Sequence, residues 1–216
     1  MSNKKADIFN YGRELFSSKG FKDTNVSDIT KMAGIGVGTF YNYYSSKEEL
    51  FLEIYIKENE DLKKRMVESI DLNDDPVSLV TKLVTQNISE INSNLILKEW
   101  YNRNLFSKLE QYFYEQGGLE NIDEFTHGGK TELIKKWKTE GKIRDDVDNE
   151  MISAIFDSIP YIDIHKSEIG IQYFPQILLY ITEFIMKGMS TVMTHRPFGK
   201  HAEASLRAVD GLFQTK

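Results

Sequence analysis

The side chains able to do chemistry concentrate in one octapeptide, Val37-Gly38-Thr39-Phe40-Tyr41-Asn42-Tyr43-Tyr44. It offers hydroxyls and a carboxamide but no acid or base, a set suited to hydrogen bonding rather than bond breaking. Phe40 and Tyr44 are one helical turn apart and share an inward face. Thr39, Asn42 and Tyr43 face out, and Tyr41 also lies off the inward face. The Thr39 and Tyr41 hydroxyls suit phosphates, and a carboxamide such as Asn42 can pair with an adenine edge in a major groove. Gly38 lets a backbone approach closely. Lys47 opens the next helix, where a cation lies beside free amides that also attract phosphate.

Other chemistries are poorly provided for. The chain has no cysteine, so disulfides, thiolate ligands and a thiol nucleophile are excluded. The histidines, His127, His165, His195 and His201, show no metal-ligand spacing, and Asp163 lies near His165 only along the chain. No Gly-x-Ser-x-Gly, phosphate loop or zinc motif is present. The Gly34-Ile35-Gly36-Val37-Gly38 run follows a helix, not a strand, so it is not a dinucleotide fingerprint. The expectation is a protein with no catalytic residues, no metal and no cofactor.

The elements that must position the octapeptide are helices. Helical periodicity dominates and strand signals are nearly absent, so the expected class is all-α. A first helix over 5–19, with Ile8, Leu15 and Phe16 inward, stops at Gly20. A short second helix over 26–33 follows Asn25, read as its cap with Asp28 in a capping-box-like place. Gly34-Ile35-Gly36 turns the chain into a short third helix over 37–43. Two short helices around such a turn, braced by a longer one, make a helix-turn-helix, whose second helix protrudes to enter a groove. Ser46-Lys47-Glu48-Glu49 is a capping box opening a long helix to about residue 70. Asp75 caps and Pro76 starts the fifth helix. The sixth is expected from Asn94 through Leu97, Tyr101, Leu105, Leu109 and Tyr112 to Gly117-Gly118. The seventh spans 119–140, interrupted or kinked at Gly128-Gly129. The eighth carries Met151, Ile155, Phe156, Ile159 and Ile162, and the ninth Phe174 to Met189.

The net charge of −6 is unevenly spread: residues 1–50 hold seven Lys/Arg and six Asp/Glu, and the remainder is acidic. The acidic part would therefore point away from DNA. The N-terminus lacks a signal-peptide stretch, and 171–193 is too polar to span a bilayer, so a cytoplasmic protein without membrane contact is expected.

Residues 8–52 resemble the DNA-binding segment of TetR-family regulators. The resemblance rests on Ile8, Leu15-Phe16, Gly20-Phe21, Thr24, Val26, Asp28-Ile29, Ala33-Gly34-Ile35, Gly38-Thr39-Phe40-Tyr41, Tyr44 and Ser46-Lys47-Glu48-Glu49-Leu50. It implies DNA-backbone contacts from Thr39, Tyr41 and Lys47, and base or near-base contacts from Ser27, Val37, Asn42 and Tyr43. Three positions depart from the pattern: Gly12 replaces a small alanine, Gly36 a capping serine, and Val37 a lysine or polar residue. At Val37 a thymine-methyl contact replaces a hydrogen bond.

The resemblance also implies a helical body that dimerises through the last two long helices and encloses an effector pocket. The segment 140–148 resembles the family's lead-in to the eighth helix. The expected organisation is a DNA-binding head over 1–50, an effector-binding and dimerisation body over 51–195, and a tail over 196–216. Helices eight and nine are the most apolar pair, which places Ile155, Ile159, Ile177, Ile181 and Ile185 at the homodimer interface. The aromatic residues of the body suit a small hydrophobic or aromatic effector. Trp100, Tyr101, Asn104, Tyr112, Trp137 and Phe156 are the candidate lining, with Glu99, Arg103 and His127 as further polar groups. The expected function is regulation at a palindromic duplex operator, with repression released by the effector. The alternative keeps the fold, with a protein partner or plain dimerisation in place of the effector.

Overall fold

A computed structural model describes residues 3–71, 73–102, 105, 107–111 and 120–190, with side chains in the helix after residue 120 described from 129. The fold is all-α, and the described residues form no strand beyond an isolated bridge between Ile143 and Ser190.

Three helices build the head: α1 (Lys4–Lys19), α2 (Val26–Met32) and α3 (Val37–Phe40). The side chain of Asn3 caps α1 at the Ala6 N–H. After α1, Gly20 adopts a φ of 79°, open to a residue without Cβ, and its carbonyl accepts the buried Thr24 hydroxyl at 2.8 Å. Gly34, with a φ of 64°, makes the turn between α2 and α3. Asn25 stands at the N-cap of α2 as expected, but its side chain makes no capping bond there. Asp28 instead pairs with Lys19 at 3.6 Å.

The long α4 (Lys47–Glu68) leaves the head. Ser46 caps it by accepting from the Glu49 N–H, as the capping box requires. The reciprocal bond differs: the Glu49 carboxylate accepts from the Ser45 N–H and hydroxyl, not from Ser46. α5 (Pro76–Ser93) begins as expected, with Asp75 accepting from the Ser78 N–H and Pro76 in the first turn. The expected sixth helix is not continuous. Leu97–Tyr101 is a short 3-10 helix, Asn102 is extended, and helix resumes by 107–111. Two N–H groups at 96 and 97 bond the Asn94 side chain, which starts the tighter turn. Tyr112 and Gly117-Gly118 lie outside the described residues.

α6 (Glu120–Thr139) runs unbroken through Gly128-Gly129, correcting the expected interruption. A Cβ on Gly129 would meet nothing within 4 Å, so this glycine serves no close internal approach. α7 (Asn149–Ile164), capped by Asp148, is followed by a single turn, α8 (Lys166–Ile169), a 3-10 turn at Ile171–Tyr173, and α9 (Gln176–Met189). The lead-in to α7 is pinned by the Arg144 N–H, which donates to the Met189 carbonyl.

Two apolar cores result. The first runs from the head (Ile8, Phe16, Ile29, Phe40) along α4 (Phe51, Ile54, Tyr55, Leu62) to Ile96, Leu97, Trp100 and Ile164. The second joins Leu79, Ile134, Trp137, Ile143, Ile152 and Met189. The expected head–body boundary at residue 50 therefore cuts through one continuous core, and α4 belongs to both parts. Gly12 explains how closely α1 and α4 approach: a Cβ there would lie 2.8 Å from the Leu50 side chain.

Candidate nucleic-acid interface

Burial and exposure divide the 37–44 segment as its spacing requires. Phe40 and Tyr44 are buried, their rings 5.8 Å apart in the head core. Val37 is 46% exposed, Tyr41 54% and Tyr43 40%, and Asn42 and Gly38 are also exposed. Thr39 is half-buried and Ser27, on α2, is exposed. Two tyrosines and a valine held outward on one short segment form an exposed, partly apolar patch of the kind that contacts a partner. α3 itself covers only Val37–Phe40, with Tyr41 at its C-cap, so Asn42 and Tyr43 sit in the turn that follows. A Cβ at Gly36 or Gly38 would meet nothing within 4 Å, and neither has a positive φ. Neither glycine is required by the fold, which leaves an external surface as the thing Gly38 can approach.

Lys47 takes a different position from the one expected. Its ammonium donates to the carbonyls of Phe21 and Thr24, both at 2.8 Å, and lies 4.1 Å from the centre of the Phe21 ring. Two of its three donors thus fasten the start of α4 to the loop between α1 and α2.

The structure separates the candidate pocket residues. Trp100 and Tyr101 meet at the Asp163 carboxylate, which accepts from the Trp100 Nε1 at 2.6 Å and the Tyr101 hydroxyl at 3.4 Å. Lys166, fully buried, places its ammonium 3.7 Å over the Trp100 ring and donates to the Asp163 carbonyl. Trp137 and Phe156 belong to the second core instead. Asn104, Tyr112 and Arg103 lie outside the described residues, as does the side chain of His127, and Glu99 is half-buried. A cleft of about 290 Å³ opens between α5 and α9, lined by Thr81, Val84, Leu179, Thr182 and Glu183. None of the described candidate lining residues, Trp100, Tyr101, Trp137 and Phe156, borders it.

The expected interface isoleucines are all partly buried, and Ile155 and Ile185 pack on the second core of their own chain. The outward apolar residues are their neighbours. Tyr180 is 60% and Phe184 64% exposed on one stripe of α9, and Met151 and Tyr161 stand out from α7. Sequence reasoning missed this stripe because spacing locates an apolar face without saying which part of it the chain itself covers. It also missed Glu58 and Lys166. An acid within the apolar stripe Phe51, Ile54, Tyr55, Leu62 was the available signal for the first.

A three-helix head with an outward-facing second short helix defines a helix-turn-helix of the DNA-binding class. Residues 8–54 match the model of the bacterial regulatory proteins of the tetR family, a match confined to the head and the start of α4. It is 36% identical over 64 residues to the HTH-type transcriptional regulator UidR of Escherichia coli K12, covering 30% of this chain and 33% of that one. To the HTH-type transcriptional regulator YhgD of Bacillus subtilis it is 30% identical over 69 residues, covering 32% and 36%. The chain thus matches about a third of the length of these relatives. The crystal structure of RolR with resorcinol matches over 95% of this chain and 92% of that one, with a TM-score of 0.56 and 15% identity, which shows a shared fold. No described helix is long and apolar enough to cross a membrane.

Proposed function

We propose that this protein is a sequence-specific regulator of transcription that binds a palindromic duplex operator as a homodimer and is released by a small, largely hydrophobic effector. The observation that carries the reading is the outward set Val37, Tyr41, Asn42 and Tyr43 beside the buried Phe40 and Tyr44. In this reading Thr39 and Tyr41 hold phosphates, while Asn42, Tyr43, Val37 and Ser27 face base edges. Lys47 chiefly fixes the loop that presents α2 and α3, with one donor left for a phosphate.

The second copy covers the stripe of Tyr180 and Phe184 with Met151 and Tyr161, so that α7 and α9 of both chains form a four-helix interface. The effector binds in the body; RolR, whose fold the chain shares, takes resorcinol as a ligand. To act, it must favour a pose of α4 that misplaces the paired heads, since an effector indifferent to the two poses shifts nothing. Selection of bound duplexes from a random pool by the purified protein tests the reading. The expected result is a palindrome with half-sites about one helical turn apart. Failure to enrich any sequence at low salt would overturn it.

A further inference from the structure

Glu58 is a carboxylate in the wrong company. It lies in the apolar stripe of α4, and only 6% of its surface is exposed. A buried charge is tolerated only where its oxygens are matched by donors. Here each oxygen is matched from a different part of the molecule. Oε1 accepts from the Arg13 Nε at 2.5 Å, on α1 of the head. Oε2 accepts from the Asn94 Nδ2 at 2.8 Å, in the body after α5. Asn94 uses its other side-chain atom, Oδ1, to bond the Ile96 and Leu97 N–H groups, which starts the turn at Leu97–Tyr101. Trp100 of that turn stacks on Tyr55 of α4, with centroids 6.2 Å apart and rings 18° from parallel. Tyr55 and Glu58 are three residues apart, so the turn grips α4 twice on one face. The Glu58 grip continues into α1 by a hydrogen bond, whereas the Tyr55 grip reaches α1 through the ring contacts of Phe51 with Phe16. The remaining acid near Arg13, Asp61, is 3.7 Å from its guanidinium and also pairs with Lys57.

We propose that Glu58 is a positioning residue for DNA reading, tying α1 of the head to the Asn94 turn of the body so that the head's pose follows the turn. The relay is Asn94 to Glu58 to Arg13. None of the three belongs to the proposed DNA-facing set, and both ends of the relay hydrogen-bond Glu58. A group that moves the turn must move the head with it or break one of two hydrogen bonds to a buried charge. This rests on the reading of the head as a DNA reader.

A double-mutant cycle tests it. Asn94→Ser keeps a short cap for the turn but is too short to reach Glu58. Arg13→Met keeps the apolar stem and loses the donor. With Glu58 present, the two changes should be non-additive in affinity for the duplex selected by the wild type, by about fivefold. In a Glu58→Gln background they should be additive within about twofold, because the charged link is gone. Amide hydrogen exchange over α1 to α3 gives a second readout that needs no DNA. Asn94→Ser should speed exchange there in the wild-type background and leave it unchanged in Glu58→Gln. Additivity with Glu58 present, or head exchange indifferent to Asn94→Ser, would overturn the relay. If the wild type enriches no duplex, the DNA reading fails and the exchange result alone decides the relay.

Discussion

Tyr41 and Phe40 are adjacent, and one ring is in water while the other is in the core. A phenol kept outward at the end of α3 retains a hydroxyl that the fold does not use. Tyr41→Phe should therefore leave stability unchanged and weaken binding to every duplex by about 1 kcal/mol, the worth of one hydrogen bond. Titration of specific and random duplexes should show the same loss for both. Lys166 calls for a different measurement. Burial lowers its pKa to about 7, against the upward pull of the Asp163 and Glu110 carboxylates. An unfolded lysine holds its proton to about pH 10.4, so from about pH 7 upward the unfolded chain binds more protons and stability rises with pH. The penalty is fully present below pH 7 and is relieved as Lys166 loses its charge. Asp163, pushed up by burial, acts in the opposite sense as it ionises. Buried Tyr44 and Tyr55 and half-buried Tyr101 are also pushed up, so the comparison is best kept below the range where unfolded tyrosines ionise. Denaturant unfolding at pH 7 and pH 9 should show a rise for the wild type that Lys166→Met flattens. Equal slopes would rule out Lys166 as the source.

At the scale of the element, the start of α4 is fastened to the loop that precedes α2. Lys47 holds the Phe21 and Thr24 carbonyls, and Ser46 caps the helix. If Lys47 is chiefly a brace, Lys47→Met should cost about 1–3 kcal/mol of stability in thermal unfolding as well as DNA affinity. A loss of affinity with unchanged stability would return Lys47 to the role of a plain phosphate contact. Most of the head was legible before the structure. Gly20, Gly34, Ser46, Asp75 and Pro76 act locally, through φ freedom and side-chain caps, and local rules locate them. The break at Asn102 was not legible, because Leu97, Tyr101, Leu105 and Leu109 keep helical spacing across it. The Asn94 cap that tightens the turn competes with the helix over a few residues only. Gly128-Gly129 misled in the other direction: two glycines weaken a helix by about 2 kcal/mol without forbidding it. Within the 37–44 segment, spacing separated the buried Phe40 and Tyr44 from their exposed neighbours. The task of Lys47 was hidden because its partners are 23 and 26 residues away.

For the whole molecule, the two cores imply two kinds of coupling. The first joins head and proximal body through α4, the path the proposed relay uses. The second supports α7 and α9, whose outer stripe is exposed and is the proposed seat of a second copy. Phe184→Glu should place a charge in that interface and convert a dimer to a monomer in sedimentation, leaving helicity intact, since the side chain is already exposed. A wild type that sediments as a monomer would remove the palindrome from the account. The pocket residues resisted sequence reasoning for a physical reason. Aromatic side chains fill cores and line pockets alike, and Trp100 and Trp137 fall in different cores.

The most direct test of the central claim, that the outward face of 37–43 reads base pairs, is duplex selection run in parallel with the wild type and Asn42→Ala. The wild type should return a two-fold symmetric site. The variant should return the same site with preference relaxed at one symmetry-related base pair in each half, a loss of about 1–3 kcal/mol of discrimination there. Identical sites from both proteins, or no enriched site from the wild type, would contradict it.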